Sequence, residues 1–516
     1  MPAVLRRRAC LALVAALGFA VPAGLSPAAR ADTISATVSG TPTGQTMGPG
    51  FVGVSFEYRA LHQYTGRDPL AVDPVLLRLV AGLAPGQAPV VRIGGNSTDT
   101  SWWPVRGMIA PGGVTYRITP GWLRTTQAFA RDLRARLILG INLEAGRPAM
   151  AVAEARAFLS GIGRRYIDAL EIGNEPDLYG VFPWYRDRRG HLHWSRSHRY
   201  KLPAYTQQFT QWSRALPNLR LAGPATSAPW WMGGLGHFIW TERHRLGLVT
   251  YHRYPLRACT TNPADPTFPS IPHLLADSSS AGLAAPLARY ARVAHAHRLP
   301  FRIAEMNSAS CEGAPGVSDT FASALWALDT LFNFAAAGVD GVNFHMLPGS
   351  NYELFTVSHD ASGNWQAFVH PEYYGLMMFA QAFPPGARLQ KVSAAGGPVK
   401  VWATRAPDGT ERVTVINQDT LNGHDVSVSV PGATMAGSLE TLDAPNVAST
   451  DRVMLGGQSF GDETTTGTLP GPPSTSPVAP AGNAYTVSLP PGSAALLTIP
   501  PAPAPAPPSG GGGGGL

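Results

Sequence analysis

Short apolar runs alternate with helical patterns from residue 51 to residue 347. Each run is followed by loop residues and then by apolar positions at helical spacing, as in PAMAVAEARAFLSGI and SDTFASALWALDTLFNFAAAG. Ser318 and Asp319 are expected to cap the helix in the second of these segments. Eight strands alternating with helices predict a closed parallel (β/α)8 barrel, a TIM barrel of the α/β class, which needs roughly 250 residues. The eight runs are FVGVSFEY, APVVRIGGN, RLILGINLE, DALEIGNEP, LRLAGPATS, LGLVTYHRY, PFRIAEMNS and VDGVNFHML.

The pattern changes after residue 384, where strands of alternating apolar and polar residues are separated by Gly, Pro, Asn and Asp. Runs such as VKVWATRA, ERVTVINQD and DVSVSVPG predict an all-β sandwich domain over residues 385–499. The early strand ISATVSG, within residues 32–45, is expected to join this sandwich, which leaves residues 46–384 for the barrel. The Pro, Ala and Gly tail at residues 500–516 has low complexity and is expected to be disordered.

The amino terminus has the features of a secretory signal peptide over residues 1–31. Arg6–Arg8 precede an apolar stretch, and small residues at 29–31 form a cleavage-site pattern. Pro22 and Gly24 interrupt the apolar stretch before the roughly 20 residues that a membrane span needs. We therefore expect a secreted or periplasmic protein with no membrane association in its mature form.

Charge and cysteine content follow from this prediction. The net charge of +7 falls to +3 without the signal peptide, since 36 of the 40 basic residues then face 33 acidic ones. We therefore expect no nucleic-acid partner.

Of the three cysteines, Cys10 lies in the signal, and Cys259 and Cys311 remain. An even pair in an exported chain predicts a disulfide, with two free thiols as the alternative.

Two glutamates occupy the ends of predicted strands. Asn174 and Glu175 follow the fourth strand, where Pro176 ends it, and Glu305 lies at the end of the seventh. In a parallel barrel the carboxyl ends of the strands form the active rim, so both acids are expected there. Two carboxyl groups about 5 Å apart are the machinery of retaining glycoside hydrolysis.

Five motifs in chain order carry a family resemblance: RIGGNSTD, LEIGNEP, TYHRYP, AEMNSASCEGAPGVSDTFASALWALD and GSNYELF. With these the chain resembles glycoside hydrolase family 79, the β-glucuronidases and heparanases of the clan A retaining glycosidases, from about residue 45 to the end of the β-domain. The resemblance implies that Glu175 is the general acid/base and Glu305 the nucleophile. It also implies that Asn174 binds the sugar 2-hydroxyl and that Tyr254 orients the nucleophile. Tyr254 could instead be a rim aromatic that packs under a loop.

The resemblance further implies a pocket for the carboxylate of a uronic acid. Its donors would be the loop Cys311–Gly313 and Tyr352. Heparanases carry consecutive glycines in this loop, whereas this chain has Glu312. An inward Glu312 would repel a substrate carboxylate, whereas an outward one leaves the backbone N–H groups free to donate. A disulfide from Cys311 to Cys259 would favour the outward direction.

Other rim residues are weaker candidates. Glu57, Asn96 and Ser97 could contact sugar hydroxyls, or the GGNSTD segment could be a plain tight turn. Glu171, four residues before Glu175, is expected inside the barrel as a hydrogen-bonded core acid. Four tryptophans could stack on sugars or pack under loops: Trp102, Trp103, Trp230 and Trp231.

The segment YRDRRGHLHWSRSHRYK, after the proposed acid/base, is the one concentrated basic stretch. It could attract a polyanionic leaving group or simply be solvated. Its histidines, His191, His193 and His198, lack acidic partners and HExxH spacing, so no metal is predicted. No other cofactor is expected.

The sequence thus predicts an exo-acting β-glucuronidase whose partner is a carbohydrate, a glucuronide or a glycan containing uronic acid. Three alternatives remain open. The chain could cleave a polymer internally, as heparanases and hyaluronidases do. It could act on neutral sugars such as xylosides or arabinosides, or it could be an inactive carbohydrate-binding protein.

Overall fold

The structure is a computed structural model that describes residues 33–394 and 396–502, without the side chains of residues 44 and 45. The signal peptide proposed for residues 1–31, Asp32, and residues 503–516 of the tail lie outside the described residues. Within the described ranges, no helix combines the length and apolar character needed to cross a bilayer.

Eight parallel strands close into a barrel in which each strand pairs with its sequence neighbour and the eighth pairs with the first. This confirms the predicted (β/α)8 fold. Barrel strands 1 to 8 are Val52–Glu57, Val90–Gly94, Arg136–Ile141, Ile167–Ile172, Leu221–Thr226, Leu246–Arg253, Phe301–Met306 and Gly341–Met346.

One main helix follows each barrel strand and packs on the outside. Asp73 and Thr119 cap the first two by accepting hydrogen bonds from Val75 N and Trp122 N. These eight helices are Pro74–Gly82, Pro120–Leu133, Pro148–Phe158, Leu202–Ala215, Leu235–Glu242, Leu287–Ala296, Phe321–Ala336 and Pro371–Ala382. Shorter helices are Leu61–Thr65, Pro229–Met232, Ile271–Leu274 and Ala281–Ala284.

The spacing also predicted that Ser318 and Asp319 cap the helix Phe321–Ala336, and this was wrong. Thr320 is the N-cap residue, and its side chain makes no capping hydrogen bond. Ser318 accepts from Ala314 N at 3.0 Å and Asp319 from Gly316 N at 2.7 Å. Both side chains therefore fold the preceding loop instead.

The barrel interior changes character along its axis. Near the amino ends of the strands, five buried residues form a small apolar cluster: Val90, Ile138, Ala169, Ala222 and Leu248. Because side chains on a strand alternate between its two faces, the residues two or four positions later also point inward. Among them are Arg92, Glu171 and His252, all fully buried. The strand pattern thus delivers charged side chains to the carboxyl end of the barrel.

Ten of the remaining strands form one large sheet that includes both the first strand, Ile34–Thr46, and the last, Ser493–Ile499. Four two-stranded sheets lie outside it: Ser101–Trp102 with Tyr116–Arg117, Tyr185–Arg186 with Leu192–His193, Leu256–Arg257 with Ala309–Ser310, and Phe355–His359 with Trp365–Val369. Residues from strands at opposite ends of the sheet order, such as Val487 and Leu497, share one buried cluster. The sheet therefore curls over its own core. The other strands are Arg388–Ala394, Val399–Arg405, Glu411–Asn417, His424–Ser429, Gly437–Asp443, Met454–Leu455, Ser476–Val478 and Ala484–Leu489.

The sheet packs on the helices that follow barrel strands 7 and 8. The Trp402 ring stacks on Phe332 with centroids 5.4 Å apart, and its indole N–H donates to Asp329 at 2.8 Å. Ile416 and Leu496 of the sheet belong to the same buried cluster as the barrel helices. The contact is thus a shared core; the domain boundaries that the sequence suggests stay a prediction.

Candidate active site

The structure brings Glu175 and Glu305 together at the carboxyl rim of the barrel. Glu305 lies on barrel strand 7, and Glu175 comes three residues after barrel strand 4. One carboxylate oxygen of each lies within 4.8 Å of the other and of a ring nitrogen of His252. The side chains of Glu175 and Glu305 are 16% and 9% exposed, so each retains a small opening to solvent. This spacing is that of a retaining pair of carboxyl groups.

The turn after barrel strand 4 explains how Glu175 reaches the rim. Gly173 has a φ of 79°, and a Cβ there would lie 2.6 Å from the Tyr179 hydroxyl. Glu175 itself has a φ of 46°, a conformation that costs a non-glycine residue about 1–2 kcal/mol. Its N–H donates to Ala225 O at 2.8 Å, and Pro176 begins the next short helix. The hydrogen bond to Ala225 and the start of the helix at Pro176 therefore hold the strained turn in place.

Positive groups surround the Glu305 carboxylate. Arg92 Nη1 donates to Oε2 at 2.7 Å, and the Tyr254 hydroxyl donates to Oε1 at 2.9 Å. Ring nitrogens of His252 and His345 lie 3.8 and 3.9 Å from Oε2. Burial opposes the charged form, but attraction to the two histidines and Arg92, with the Tyr254 hydrogen bond, lowers the pKa of Glu305 well below its usual range. Glu305 is thus kept ionised.

Glu175 has the opposite balance. Its Oε1 lies 3.1 Å from His252 Nδ1, which favours the charged form. Burial raises the pKa of Glu175 by more than the His252 contact lowers it, and the negative charge of Glu305 raises it further. A carboxyl pair whose pKa values are pushed apart is suited to one acid and one nucleophile.

Arg92 is a functional residue that the sequence patterns did not reveal. It is fully buried inside the barrel and donates from Nε to Glu171 at 2.6 Å, from Nη1 to Glu305 and from Nη2 to Asn174 Oδ1 at 2.8 Å. Glu171 lies inside the barrel, where the sequence placed it, as the partner of Arg92. The available signal was a lone charge in the apolar run VVRIGG. One guanidinium therefore fixes both the proposed nucleophile and the residue before the proposed acid.

Asp99 was also missed. Its carboxylate is buried and accepts hydrogen bonds from Asn174 N at 2.9 Å and from the Tyr179 hydroxyl at 2.6 Å. It also accepts from the backbone of Leu143 and Glu144, in the loop after barrel strand 3. Asp99 thereby joins the loops after barrel strands 2, 3 and 4 and positions Asn174.

The GGNSTD segment forms a turn around Glu57. Asn96 N donates to Glu57 Oε1 at 2.9 Å, and Ser97 N donates to Oε2 at 2.7 Å. The Ser97 hydroxyl accepts from Tyr58 N and donates to Gly94 O, so it is used within the turn and has no hydrogen left for a sugar. Asn96 is exposed, and its Oδ1 accepts from Asn174 Nδ2 at 3.3 Å. Glu57 and Asn96 therefore remain the rim candidates of this group.

The loop Cys311–Gly313 lies beside the site with Glu312 exposed to solvent. Its three residues have φ values of 61°, 67° and 75°. A disulfide joins Cys311 to Cys259 with the Cα atoms 5.9 Å apart. Gly313 fits closely, because a Cβ there would lie 2.9 Å from Tyr352 N. The outward alternative for Glu312 is thus the one the structure has.

Tyr352 and Tyr254 line the site together. Tyr352 is 4% exposed, and its ring centroid lies 6.5 Å from that of Tyr254. Burial, followed by the nearby charge of Glu305, raises the pKa of both hydroxyl groups, so both stay protonated and can donate.

The aromatic and basic rim candidates divide into buried and exposed residues. Trp231 is 2% exposed and packs against Tyr205, so it belongs to the core, whereas Trp230 is 69% exposed. Trp102 and Trp103 are half-buried. Exposed cations of the loop after Glu175 are Arg186, Arg188, Arg189, Arg199 and Lys201. The loop therefore presents a basic surface to solvent.

The expectation that the histidines of this loop lack an acidic partner was wrong. Asp187 Oδ2 lies 3.2 Å from His191 Nδ1 and 3.0 Å from His193 Nε2. All three belong to the hairpin of Tyr185–Arg186 and Leu192–His193. Spacing alone did not reveal a contact that the turn creates.

Glu175, His252 and Glu305 are also the described residues whose donor atoms could surround a cation. Arg92 is only 2.7 Å from Glu305 Oε2, however, and its fixed positive charge would repel a metal ion there. The arrangement is therefore better suited to proton transfer and nucleophilic attack than to metal binding.

Comparisons with known proteins agree with this geometry. No protein-family model matches the chain. A β-glucuronidase from Aspergillus niger is 31% identical over 126 residues, which are 24% of this chain and 23% of that protein. A β-glucuronidase from Neurospora crassa is 34% identical over 86 residues, 17% of this chain and 15% of that protein. The match thus spans less than a quarter of either curated relative. The resemblance to β-glucuronidases that the sequence suggested is confirmed.

Solved structures show the same fold at low identity. A 4-O-α-L-rhamnosyl-β-D-glucuronidase from Fusarium oxysporum superposes with a TM-score of 0.69 and 19% identity, over 90% of this chain and 100% of that one. A family 51 arabinofuranosidase from Xanthomonas axonopodis pv. citri gives a TM-score of 0.63 at 15% identity, over 90% and 99%. The barrel with its attached sheet is thus an architecture of glycoside hydrolases.

Proposed function

We propose that the protein is a retaining glycoside hydrolase that removes β-linked glucuronic acid from the end of its substrate. The observation that carries this proposal is the pair of rim carboxyl groups, Glu175 and Glu305, within 4.8 Å of each other and with pKa values shifted in opposite directions. The two β-glucuronidase relatives support the choice of sugar.

In the first step the Glu305 carboxylate attacks the anomeric carbon, while Glu175 gives its proton to the leaving glycosidic oxygen. The bond between that carbon and oxygen breaks as the bond to Glu305 forms. Asn174, fixed by Arg92 and Asp99, is placed to bind the 2-hydroxyl. In the second step Glu175, now ionised, takes a proton from water. The water oxygen then displaces Glu305 and restores the original configuration at the anomeric carbon.

Three features support a uronic acid in the site. Glu312 points to solvent, so its carboxylate does not lie against the substrate carboxylate, and water screens the charge that still reaches Tyr352. The left-handed loop Cys311–Gly313 turns successive backbone groups in one direction, as anion-binding loops do. The protonated hydroxyl of Tyr352 adds a side-chain donor beside this loop.

One contact favours exo action. Gly112 and Gly113, in the loop after barrel strand 2, lie against the rings of Tyr185 and Trp184, where any Cβ would clash. The Trp184 indole donates to Asp99 O at 3.2 Å, next to Asn174. The two loops thus form a wall beside the proposed sugar site, and a wall on one side suits an enzyme that accepts only a chain end.

The function is tested by rates on matched aryl β-D-glucuronide, β-D-glucoside and β-D-xyloside, measured with a chelator present. We expect hydrolysis of the glucuronide alone, with β-glucuronic acid as the first product seen by NMR. Preference for a neutral sugar would reject the uronic acid pocket, and α-product would reject retention. Cleavage of an internal bond in a uronic-acid polymer, without aryl glucuronide activity, would favour endo action. Binding without turnover would favour an inactive carbohydrate-binding protein.

The pKa shifts predict the pH dependence of kcat/KM. Activity needs Glu305 ionised and Glu175 protonated, so the acid limb should lie below the ordinary glutamate pKa of 4.5. The basic limb should lie above 4.5, since activity falls as pH rises through the raised pKa of Glu175. The Glu175→Gln variant, assayed on a substrate with a good leaving group, should lose the basic limb and keep the acid one. A basic limb that persists in this variant would contradict the assignment.

We also propose that the protein is exported. The signal-like residues 1–31 support this, as does the disulfide between Cys259 and Cys311. Both cysteines are exposed, and a solvent-accessible disulfide persists best in an oxidising compartment.

A further inference from the structure

A second charged centre lies at the opposite end of the barrel from Glu175 and Glu305. Arg302 is the second residue of barrel strand 7, and its side chain is 5% exposed. Gly53 and Gly341 make room for it: a Cβ at Gly53 would lie 3.1 Å from Arg302 Nη2, and one at Gly341 would overlap the guanidinium. Two neighbouring strands therefore lack side chains where this arginine enters the barrel.

The groups that contact Arg302 are all neutral. Its Nε donates to Asn343 Oδ1 at 2.5 Å, and its terminal nitrogens donate to the carbonyls of Gly50, Phe51 and Val342 at 3.1–3.3 Å. The ion pairs of the described residues include no carboxylate within 4.0 Å of it. Burial, followed by repulsion from Arg136, lowers its pKa to about 9. Asp168 and Asp340 attract the Arg302 charge only from a distance. A buried charge that pairs directly with no carboxylate is costly, so the site favours an anion.

A cavity of about 250 Å³ opens from Arg302 to solvent at this end of the barrel. Arg136 and Arg220 also line it, together with Asp168 and Asp340. Both aspartates already have cationic partners. Asp168 Oδ1 lies 3.1 Å from Arg220 and 4.0 Å from Arg136, and Asp340 Oδ2 lies 2.7 Å from His295 Nε2.

The charge in this cavity is therefore unbalanced. Three guanidinium groups face two carboxylates, and neither carboxylate reaches Arg302. The cavity is also several times larger than the roughly 30 Å³ that one water occupies in the liquid. Among the described residues, Arg302 Nη1 donates only to Gly50 O, which leaves one of its N–H groups for a small polyatomic anion. Arg136 adds further donors at the mouth of the cavity.

We propose that this cavity is a binding site for a small tetrahedral oxyanion, phosphate or sulfate, held between the buried Arg302 and Arg136 at the mouth. The anion would supply the counter-charge that the barrel base lacks. It would bind at the end of the barrel remote from the carboxyl rim and independently of the glycosidase chemistry. Its effect is therefore expected on stability and not on turnover.

Thermal unfolding of the full chain tests the site. Sodium phosphate or sulfate is titrated against sodium chloride at constant ionic strength. We expect a saturable rise in Tm of about 2–4 °C at high occupancy, because a ligand that binds only the folded state stabilises it. Arg136→Gln should abolish the rise. Arg131→Gln is the matched control, because Arg131 is 53% exposed and its ion pair within the described residues is with Asp132.

Two results would overturn the proposal. One is no oxyanion-dependent rise in the wild type at constant ionic strength. The other is an equal rise in Arg136→Gln, which would place the anion elsewhere, for example at the rim. Arg302→Met removes the central donor, but it can also fail to fold, so Arg136→Gln and Arg220→Gln are the decisive variants. Calorimetry with phosphate should show the same loss of binding in both of them.

Discussion

Replacing Glu305 with Gln is expected to reduce kcat on an aryl β-glucuronide by about 10⁴-fold or more, with little change in Tm. The amide cannot form the covalent intermediate, and loss of a nucleophile costs this much or more in other hydrolases. The fold should survive, because the Gln oxygen can still accept from Arg92 while its NH2 group donates to the Tyr254 hydroxyl oxygen. Arg92 also keeps its bond to Glu171. The rate and the melting curve are measured on the same preparation.

A small nucleophile added from solution separates this role from general damage to the site. In Glu305→Gly, azide can take the place of the missing carboxylate and should give an α-glycosyl azide. In Glu175→Ala, azide should instead attack the intermediate on Glu305 and give the β-azide. Glu463→Gln, at an exposed acid of the β-region, is the control and should keep wild-type rates. Appreciable hydrolysis by Glu305→Gln, or azide products of the opposite configuration, would reject the assignment.

Arg92→Met is expected to cause the largest loss of stability of any single change at the site, about 3–5 kcal/mol in the free energy of unfolding. The substitution leaves the buried carboxylates of Glu171 and Glu305 without their ion pair and removes a donor from Asn174. Urea unfolding at neutral pH measures the loss. Arg92→Lys keeps the charge but cannot span three partners, so it should recover only part of the stability.

The pH dependence distinguishes this electrostatic role from simple packing. The Glu305 pKa is lowered in the folded state, so its contribution to stability is present above the unfolded pKa, about 4.3, and is lost as pH falls through the folded value. The difference in the free energy of unfolding between the wild type and Arg92→Met should therefore decrease as pH falls. The double variant Arg92→Met with Glu171→Gln should be more stable than Arg92→Met alone. An unchanged difference in the free energy of unfolding at all pH values, or a double variant no more stable than Arg92→Met, would contradict an electrostatic role for Arg92.

The fold was predictable because each barrel strand and each helix leaves a local pattern in the sequence. Glu175 and Glu305 were predictable for the same reason, since each closes an apolar run and the barrel brings such ends together. Arg92 was not, because its importance depends on Glu171 and Asn174, on and just after barrel strand 4, and on Glu305 of barrel strand 7, which meet only inside the barrel. The direction of Glu312 and the burial of the Ser97 hydroxyl likewise depend on backbone conformation at single residues. The period of apolar residues and the spacing of motifs do not reveal the backbone conformation at a single residue.

The placement of the first strand, Ile34–Thr46, has a consequence for how the chain is made. Ala36 pairs with Ala394, and the Thr43 hydroxyl donates to Leu389 O across 346 positions of sequence. At about 5–20 residues per second, a ribosome needs roughly 20–70 s to deliver that partner. The strand therefore emerges before the barrel and stays unpaired until residues 388–394 have been made, after the whole barrel sequence. The sheet is complete only when the last strand, Ser493–Ile499, has been made. The barrel and the sheet are therefore joined in their final form at the end of synthesis.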